Sequence, residues 1–267
     1  MQRSTRILGA AILALFVLNA VVWHAALRED GGGILTVSFL DVGQGDAIFI
    51  EAPSGRQVLI DGGAADGGIL RRLSAQLPWY DRSLDIVIPT HPDADHVAGL
   101  IDVLARYRVS HIVRSSVEGD TETAKRLAAA MRREGAEEMI AERGQVIDLG
   151  TGAYLEVLSP DRSVPHVDTN AGCVVTRLVY GVTALMLPCD APQAVEKYLV
   201  SLDGKALRAD VLKAGHHGSK TSSSPLFVGF VDPAYAVYSR GCGNTYGFPH
   251  QETIDTFARF GIPTLDT

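Results

Sequence analysis

One loop constrains the fold of this chain more than any other feature. The loop 90–96 contains His91, Asp93, Asp95 and His96 and directly follows the apolar run 84–88. Such a run predicts a buried strand, and a tight loop at its carboxyl end can direct several side chains into one pocket. At this spacing, two imidazoles and two carboxylates would leave charges uncompensated unless a cation held them together. The loop therefore predicts a metal site at a sheet edge rather than a solvated turn.

The order of the predicted elements indicates the fold class. Predicted strands lie at 35–40, 47–51, 57–60, 84–89, 154–158, 173–180, 183–187, 210–214 and 234–238. Predicted helices lie at 68–77, 97–107, 121–135, 192–199 and 251–260. In both halves of the chain the strands first meet as hairpins and then alternate with helices. This order predicts an α+β fold, an αββα sandwich of two mixed β-sheets with outer helices.

Residues 1–30 differ from the rest of the chain. Arg3 and Arg6 precede an apolar segment, 7–27, which at roughly 1.5 Å per residue could cross a hydrocarbon layer of roughly 30 Å. Trp23 and His24 are too large for a good signal-peptidase site, so an uncleaved single-pass anchor is favoured over a cleaved signal peptide. A Gly-rich hinge follows the segment, and the arginines place the domain 31–267 on the extracytoplasmic side of the cell membrane. A cleaved signal would give a secreted form instead.

Composition and charge set broader limits. The chain has 267 residues, 46% of them hydrophobic, which suffices for one main domain with one sizeable core. The net charge of −7 argues against a surface coated for nucleic acid but leaves room for a local basic track. Cys173, Cys189 and Cys242 form no C-x-x-C pair, and an odd number cannot all pair within one chain. Cys173 and Cys189 are either buried thiols or one disulfide.

A metal centre needs ligands from outside the loop, and three further strand ends offer candidates. Asp190 closes the run 183–189, and His216 and His217 follow the run 210–215. Asp61 closes the strand 57–60, but an Asp before two glycines more often shapes a turn and hydrogen-bonds a ligand loop than binds metal itself. Without further information, these residues predict a dinuclear metal-dependent hydrolase.

Several motifs then match one family. They are 39–47, 59–63, 90–96 with Gly99, Asn170, Asp190, 212–222 and 244–250. With them the chain resembles the metallo-β-lactamase superfamily and, within it, the extracytoplasmic hydrolase domain of ComEC-type competence proteins. The resemblance covers about residues 35–260, and the combination of 41–46 with 216–222 is specific to that branch.

The resemblance implies two divalent metal ions. Their ligands would be His91 and Asp93 for one ion, Asp95 and His96 for the other, Asp190 as a bridge, and one of His216 and His217 to complete the second site. The other histidine of that pair would face the substrate, and the sequence does not decide which is which. The catalytic candidates are Asp95, His217 and Lys213, and the substrate-binding candidates are Asn170, Lys220, Asn244 and His250. Lys213 and Lys220 flank the double histidine and could neutralise a backbone phosphate.

The chain departs from the family pattern in several places. A carboxylate at Asp93 instead of an imidazole makes that metal site harder, which favours Mn²⁺ or Mg²⁺, while Zn²⁺ stays compatible. Phe248 stands where ComEC-like domains often read Gly-His-Pro-His, so only His250 remains of that pair. Pro188 and Cys189 precede Asp190 where a small residue is usual. The final hairpin of such domains does not follow residue 267, which indicates truncation or a natural short form.

The functional expectation is a membrane-anchored, extracytoplasmic hydrolase that cleaves a phosphodiester, with single-stranded DNA as the candidate substrate from the resemblance. A single apolar segment cannot form a channel, so a role in DNA uptake would need a competence or channel partner. Two alternatives stay open. One is a freestanding phosphoesterase acting on nucleotides or cell-envelope phosphoesters, and the other is a non-catalytic metal-binding interaction module.

Overall fold

Two β-sheets form the body of the molecule. The computed structural model describes residues 2–29, 33–65, 68–164 and 166–267. The first sheet contains β1 to β6 in sequence order: Thr36–Phe39, Ile48–Glu51, Gln57–Ile60, Ser83–Ile88, Arg108–Arg114 and Glu137–Ile140. The second contains β7 to β13, again as neighbours in sequence order: Val146–Gly150, Ala153–Ser159, Val175–Tyr180, Thr183–Leu187, Val211–Lys213, Tyr235–Tyr238 and Thr264–Asp266.

Both sheets are mixed in the same way. In the first, β1 to β3 pair antiparallel and β3 to β6 pair parallel. In the second, β7 to β10 pair antiparallel and β10 to β13 pair parallel. Parallel neighbours end at the same edge of a sheet. The loops that follow β3 and β4, and those that follow β10, β11 and β12, therefore meet at that edge.

Strand periodicity decides which side chains enter which layer of the core. In β2, Ile48 and Ile50 face the space between the two sheets, whereas Phe49 between them packs with the helices on the outer side. The outer face of the first sheet is covered by α2 to α4: Gly68–Gln76, Ala94–Leu104 and Glu122–Glu134. The second sheet is covered by α5 to α7: Gln193–Asp203, Pro225–Val231 and Gln251–Arg259. The predicted αββα sandwich is confirmed.

Four strands and one helix lie where no element was predicted. They are β5, β6, β7, β13 and α6. β6, β7 and β13 are short strands near or at sheet edges with exposed side chains, so their sequences contain no continuous apolar run. The helix α6 is apolar on nearly every side and shows no helical period. Its local signals are Ser224, whose side chain accepts a hydrogen bond from the Phe227 amide, and Pro225 in the first turn.

The amino-terminal segment forms one helix, α1, Gln2–Glu29. Within it, Arg6–Trp23 is long and apolar enough to cross a membrane, and these side chains are exposed. The predicted apolar segment is thus helical, while the choice between anchor and cleaved signal and the orientation in the membrane stay predictions. Residues 30–32, in the predicted hinge, lie outside the described residues.

Candidate metal centre

The loop between β4 and α3 carries the first group of candidate ligands. Asp93 is the N-cap residue of α3, but its side chain accepts no hydrogen bond from the helix amides. Its Oδ2 instead lies 3.6 Å from Nε2 of His91. Asp95 and His96 occupy the first turn of the helix, where His96 is fully buried. A carboxylate at the cap position that leaves the cap unfilled is available to bind a cation.

Asp61, at the carboxyl end of β3, fixes this loop. It accepts hydrogen bonds from the Thr90 amide at 2.8 Å and the Thr90 hydroxyl at 2.7 Å. Its Oδ2 also lies 2.8 Å from Nδ1 of His96. A proton on that nitrogen leaves Nε2 with a free lone pair, as a metal-ligating histidine requires. The prediction that Asp61 supports the ligand loop is confirmed.

The second group of candidate ligands converges on Asp190, which follows β10. The Nε2 atoms of His96, His217 and His216 lie 3.2, 3.4 and 3.6 Å from its Oδ2. Nε2 of His217 also lies 3.2 Å from Nε2 of His96 and 3.4 Å from Oδ2 of Asp95. Nitrogen and carboxylate ligands from both sheets therefore surround one small space.

The structure distinguishes His216 from His217. His217 is buried, and its Nδ1 donates to the carbonyl oxygen of Ser239 at 2.9 Å, which leaves Nε2 free as a ligand. The His216 side chain is 26% exposed, and its Nδ1 lies 3.1 Å from the Thr221 hydroxyl. His217 thus closes the buried part of the cluster, whereas His216 lies on its open side.

His91 adds a buried nitrogen that has no hydrogen-bond partner among the described residues. This nitrogen is Nε2, while the Nδ1 of the same ring lies 3.0 Å from the Thr90 hydroxyl and 3.5 Å from Sγ of Cys189. Orphaned buried polar atoms are uncommon and are explained when an ion occupies the space beside them. Cys173 and Cys189 are buried free thiols in this structure, and Cys242 is exposed.

Lys213 lies beneath the cluster, which corrects its predicted contact with a substrate phosphate. Its ammonium is buried and lies 2.5 Å from Oδ2 of Asp46 and 3.5 Å from Oδ1 of Asp190. A lysine in the short buried strand β11 needs an acidic partner, so its positive charge is neutralised inside the protein. Lys213 therefore orients Asp190 from below and does not face the open side.

Asp46 is the functional residue that sequence reasoning underestimated. It is buried, and its Oδ1 lies 3.4 Å from Nδ1 of His217. Ligand atoms of Asp46, His96, Asp190 and His217 all lie within 4.8 Å of one another, a group that could hold a metal ion. Because Lys213 already pairs with Asp46, we assign Asp46 to the support of the centre. The available signal was a lysine inside an apolar strand, which implies a buried acid.

The pKa values indicate a surplus of negative charge. Burial by itself lowers the pKa of His96 and of His217, but neighbouring carboxylates, Asp190 foremost, raise both well above the usual range. Burial likewise raises the pKa of Asp190, yet His217, His96 and Lys213 hold it well below its usual range. Burial lowers the pKa of His91 to about 3, so this imidazole stays neutral, as a ligand must. Divalent cations fit such a donor set.

Backbone strain is concentrated around the same cluster. Asp61, Cys189, His216 and His217 all have positive φ angles, between 49° and 57°, in the left-handed region. Such conformations cost about 1–3 kcal/mol each and persist where the surroundings enforce them, commonly at functional sites. The two histidines form a 3-10 turn, Gly215–Gly218, that directs one ring inward and leaves the other half-buried.

The predicted substrate-binding residues are placed differently from one another. The Asn244 side chain is engaged in its own loop, because its amide donates to the carbonyls of Gly241 and Phe248 and accepts from the Phe248 amide. Neither N–H group is therefore free for the predicted substrate contact. The His250 ring accepts from the Lys220 amide at 3.0 Å, which ties two loops together, while the Lys220 side chain is exposed.

Asn170 is better placed for a role at the centre. Its Oδ1 is buried without a hydrogen-bond partner in the described part of the chain. The segment that follows Asn170 runs beside the ligand loop, since the Val174 amide donates to the Thr90 carbonyl at 3.0 Å. A cavity of about 750 Å³ also borders the loop, between α4 and the carboxyl ends of β4 and β5, with His91 in its wall. Concave space thus lies beside the ligand loop.

Comparison with known proteins decides the family. Residues 40–241 match the Metallo-beta-lactamase superfamily. The chain belongs to this superfamily. The metallo-β-lactamase fold is also found in the structural relatives. The crystal structure of the metallo-beta-lactamase fold protein YhfI from Bacillus subtilis superposes with a TM-score of 0.56 at 13% identity, covering 87% of this chain and 95% of that one. At this identity the likeness concerns the fold alone.

Two further proteins are similar to this chain in sequence. The chain is 30% identical over 253 residues to ComE operon protein 3 of Bacillus subtilis (strain 168), covering 86% of this chain and 31% of that protein. It is 32% identical over 235 residues to competence protein ComA of Neisseria gonorrhoeae, covering 86% and 30%. The chain thus spans about a third of the length of these relatives. The resemblance to ComEC-type proteins is confirmed.

Proposed function

We propose that this chain is a metal-dependent hydrolase that cleaves phosphodiesters. The observation that supports this most is the convergence of three imidazole Nε2 atoms on one carboxylate oxygen of Asp190, within 3.2–3.6 Å. A buried cluster of this many imidazoles and carboxylates is not needed for packing a core. It suits divalent cations that act on an anionic substrate.

The residues divide into two ligand sets. His91 and Asp93 would hold one ion, while Asp95, His96 and His217 would hold the other, with Asp190 shared by both. Because Asp93 replaces an imidazole, Mn²⁺ or Mg²⁺ is favoured for the first position and Zn²⁺ is compatible. Two bound ions would lower the pKa of a water toward neutrality and stabilise charge on the attacking and leaving oxygens.

The remaining residues hold this arrangement and face the substrate. Asp61 and the Ser239 carbonyl fix the protonated nitrogens of His96 and His217. Lys213 orients Asp190 from the buried side. His216 stays on the open side, where burial lowers the pKa of its imidazole, so it is neutral near pH 7 and can hydrogen-bond a phosphate oxygen or leaving group.

The relatives and the amino-terminal helix suggest the setting. Competence-related relatives favour DNA as the substrate, with single-stranded DNA as the first candidate. The exposed apolar helix within α1 favours a single-pass anchor, with the hydrolase domain outside the cytoplasm. In this setting, a channel or competence partner would deliver the strand.

Cleavage and metal content together test the proposal. The full chain, purified in detergent, is incubated with single-stranded DNA, duplex DNA, RNA and a chromogenic phosphodiester, each with Mn²⁺, Mg²⁺ or Zn²⁺. We expect at least one ion per chain and metal-dependent cleavage that His96→Ala abolishes. His111→Ala is the matched control, because His111 is an exposed histidine on β5.

Three outcomes separate the proposal from its alternatives. Cleavage of small phosphodiesters without cleavage of nucleic acid would favour a freestanding phosphoesterase. Metal binding without turnover on any substrate would favour a non-catalytic binding module. Less than one ion per chain together with no cleavage would rule out the metal-dependent enzyme.

A further inference from the structure

We propose that Tyr246 and Phe248 form a stacking platform for one unpaired nucleobase beside the metal centre. This inference rests on the proposed function and narrows its substrate to single-stranded nucleic acid. The two rings are stacked, with centroids 5.4 Å apart and planes 11° apart. Tyr246 is 62% exposed. Its outer face is therefore a flat aromatic surface open to a ligand.

The platform touches the centre through its inner ring. The Phe248 ring packs edge to face against the His216 ring at 5.7 Å and lies 6.1 Å from the His217 ring. Exposure of an aromatic side chain is not in itself unusual, since Trp79 and Tyr235 are also exposed. The Tyr246–Phe248 stack differs because it continues directly from His216, on the open side of the centre.

The loop that carries the platform is held in place. Asn244 makes three hydrogen bonds within it, two of them to the backbone of Phe248 at 2.9 Å. After the platform, the His250 amide donates to the Gly218 carbonyl at 2.9 Å, next to the double histidine. The rings are thus positioned before any ligand arrives, which reduces the entropy lost on binding.

The chemistry of the platform selects its occupant. A nucleotide unit has both features that this arrangement selects: a phosphodiester for the centre at Asp190 and a flat aromatic ring a short distance from that phosphodiester. Bases stack on aromatic side chains with little dependence on sequence. In a duplex the neighbouring base pairs already cover both faces of a base, so only an unstacked base can bind here. Envelope phosphoesters without a planar ring would gain no stacking energy from this surface.

Base removal from the substrate tests the platform directly. The full chain in detergent is assayed with a short single-stranded oligothymidylate and with an abasic oligomer of the same length. We expect kcat/KM of the unmodified protein to fall roughly tenfold on removal of the bases, as stacking energies imply. Tyr246→Ala should lower kcat/KM for oligothymidylate by about the same factor and leave abasic cleavage unchanged, and Tyr246→Trp should retain the preference.

Tyr235→Ala is the matched control, because Tyr235 is 51% exposed at the opposite end of β12. Fluorescence anisotropy with both labelled oligomers, without metal, gives a second readout that does not need turnover. The platform would be contradicted if both oligomers bound equally, or if Tyr246→Ala lowered kcat/KM by the same factor on both. Cleavage in either case would still support the hydrolase. A base preference in binding without any cleavage would uphold the platform and contradict the proposed function.

Discussion

The two halves of the candidate centre are built in different ways. The half from the first sheet is one contiguous loop, 90–96, placed by the end of β4 and the first turn of α3. The half from the second sheet combines Asp190 with a double histidine from the next parallel strand, and each element stands in or beside a left-handed turn. The first half depends on local spacing, whereas the second depends on strand register, strain and a buried ion pair. Asp190 is where the halves meet.

Removing the charge of Asp190, the carboxylate that both halves share, should have the largest effect on activity. Asp190→Asn keeps the shape of the side chain but removes the charge to which three imidazoles point. We expect kcat/KM to fall by about a thousandfold or more, since metal ions supply several kcal/mol of transition-state stabilisation. Steady-state kinetics with the best substrate and metal, beside circular dichroism to monitor the fold, provide the measurement.

Asp102→Asn is the control for that change, because Asp102 is exposed on α3. Turnover in Asp190→Asn close to that of this control would show that Asp190 does not join the two halves.

Removing the buried ammonium of Lys213 should destabilise the second half of the centre more than the first. Lys213→Met leaves Asp46 buried without its partner at 2.5 Å. We expect the free energy of unfolding to fall by about 3–5 kcal/mol, the usual loss when one member of a buried pair is removed. Urea unfolding of the full chain in detergent gives the value.

The double variant Lys213→Met/Asp46→Asn checks the cause. It should recover part of that loss, because the two changes act on one interaction and are not additive. A loss in Lys213→Met below about 1 kcal/mol, the range of exposed pairs, would mean that the ion pair does not support the centre.

In the first half, the backbone of Gly45 lies close to that of Asp95, and a substitution at Gly45 should have a smaller effect. Gly45 has φ near +120°, and a Cβ atom there would lie 1.8 Å from the carbonyl oxygen of Asp95. Gly45→Ala must displace the first turn of α3, at a cost of about 2–3 kcal/mol in stability. Activity should fall with it, since Asp95 and His96 lie in that turn. Thermal unfolding and kcat/KM measure the two effects.

Gly181→Ala separates the contact from the backbone angle. Gly181 also has a positive φ, 60°, but no atom of the described residues lies within 4 Å of the point that a Cβ atom would occupy there. It should lose only about 1–2 kcal/mol, with activity unchanged. If Gly45→Ala behaved in the same way, the contact with Asp95 would not position the ligands.

The same contrast explains what the sequence could predict. The sandwich followed from the order of strands and helices, and the first half of the centre from ligands crowded into one loop. Asp190 and the double histidine were found as strand ends, and the resemblance gave them roles. The sequence did not distinguish His217 from His216, because both share a turn and differ in burial and in the partner of Nδ1.

Other features depend on long-range contacts that no local pattern encodes. The partner of Lys213 is Asp46, which is far away in the chain and lies in a loop of the other sheet, so no local pattern pairs the two residues. Asn244 carries a plausible polar group for a substrate, but both of its N–H groups donate within its own loop. The short edge strands β6 and β13 lack an apolar pattern because solvent covers their side chains.

Locating the bound ions tests the central claim most directly. A crystal of the full chain soaked with Mn²⁺ is measured at a wavelength where manganese scatters anomalously. We predict anomalous density between the Nε2 atoms of His96 and His217 and the carboxylate of Asp190, with a second peak beside His91 and Asp93. Density only at surface carboxylates, with none beside Asp190, would contradict the account.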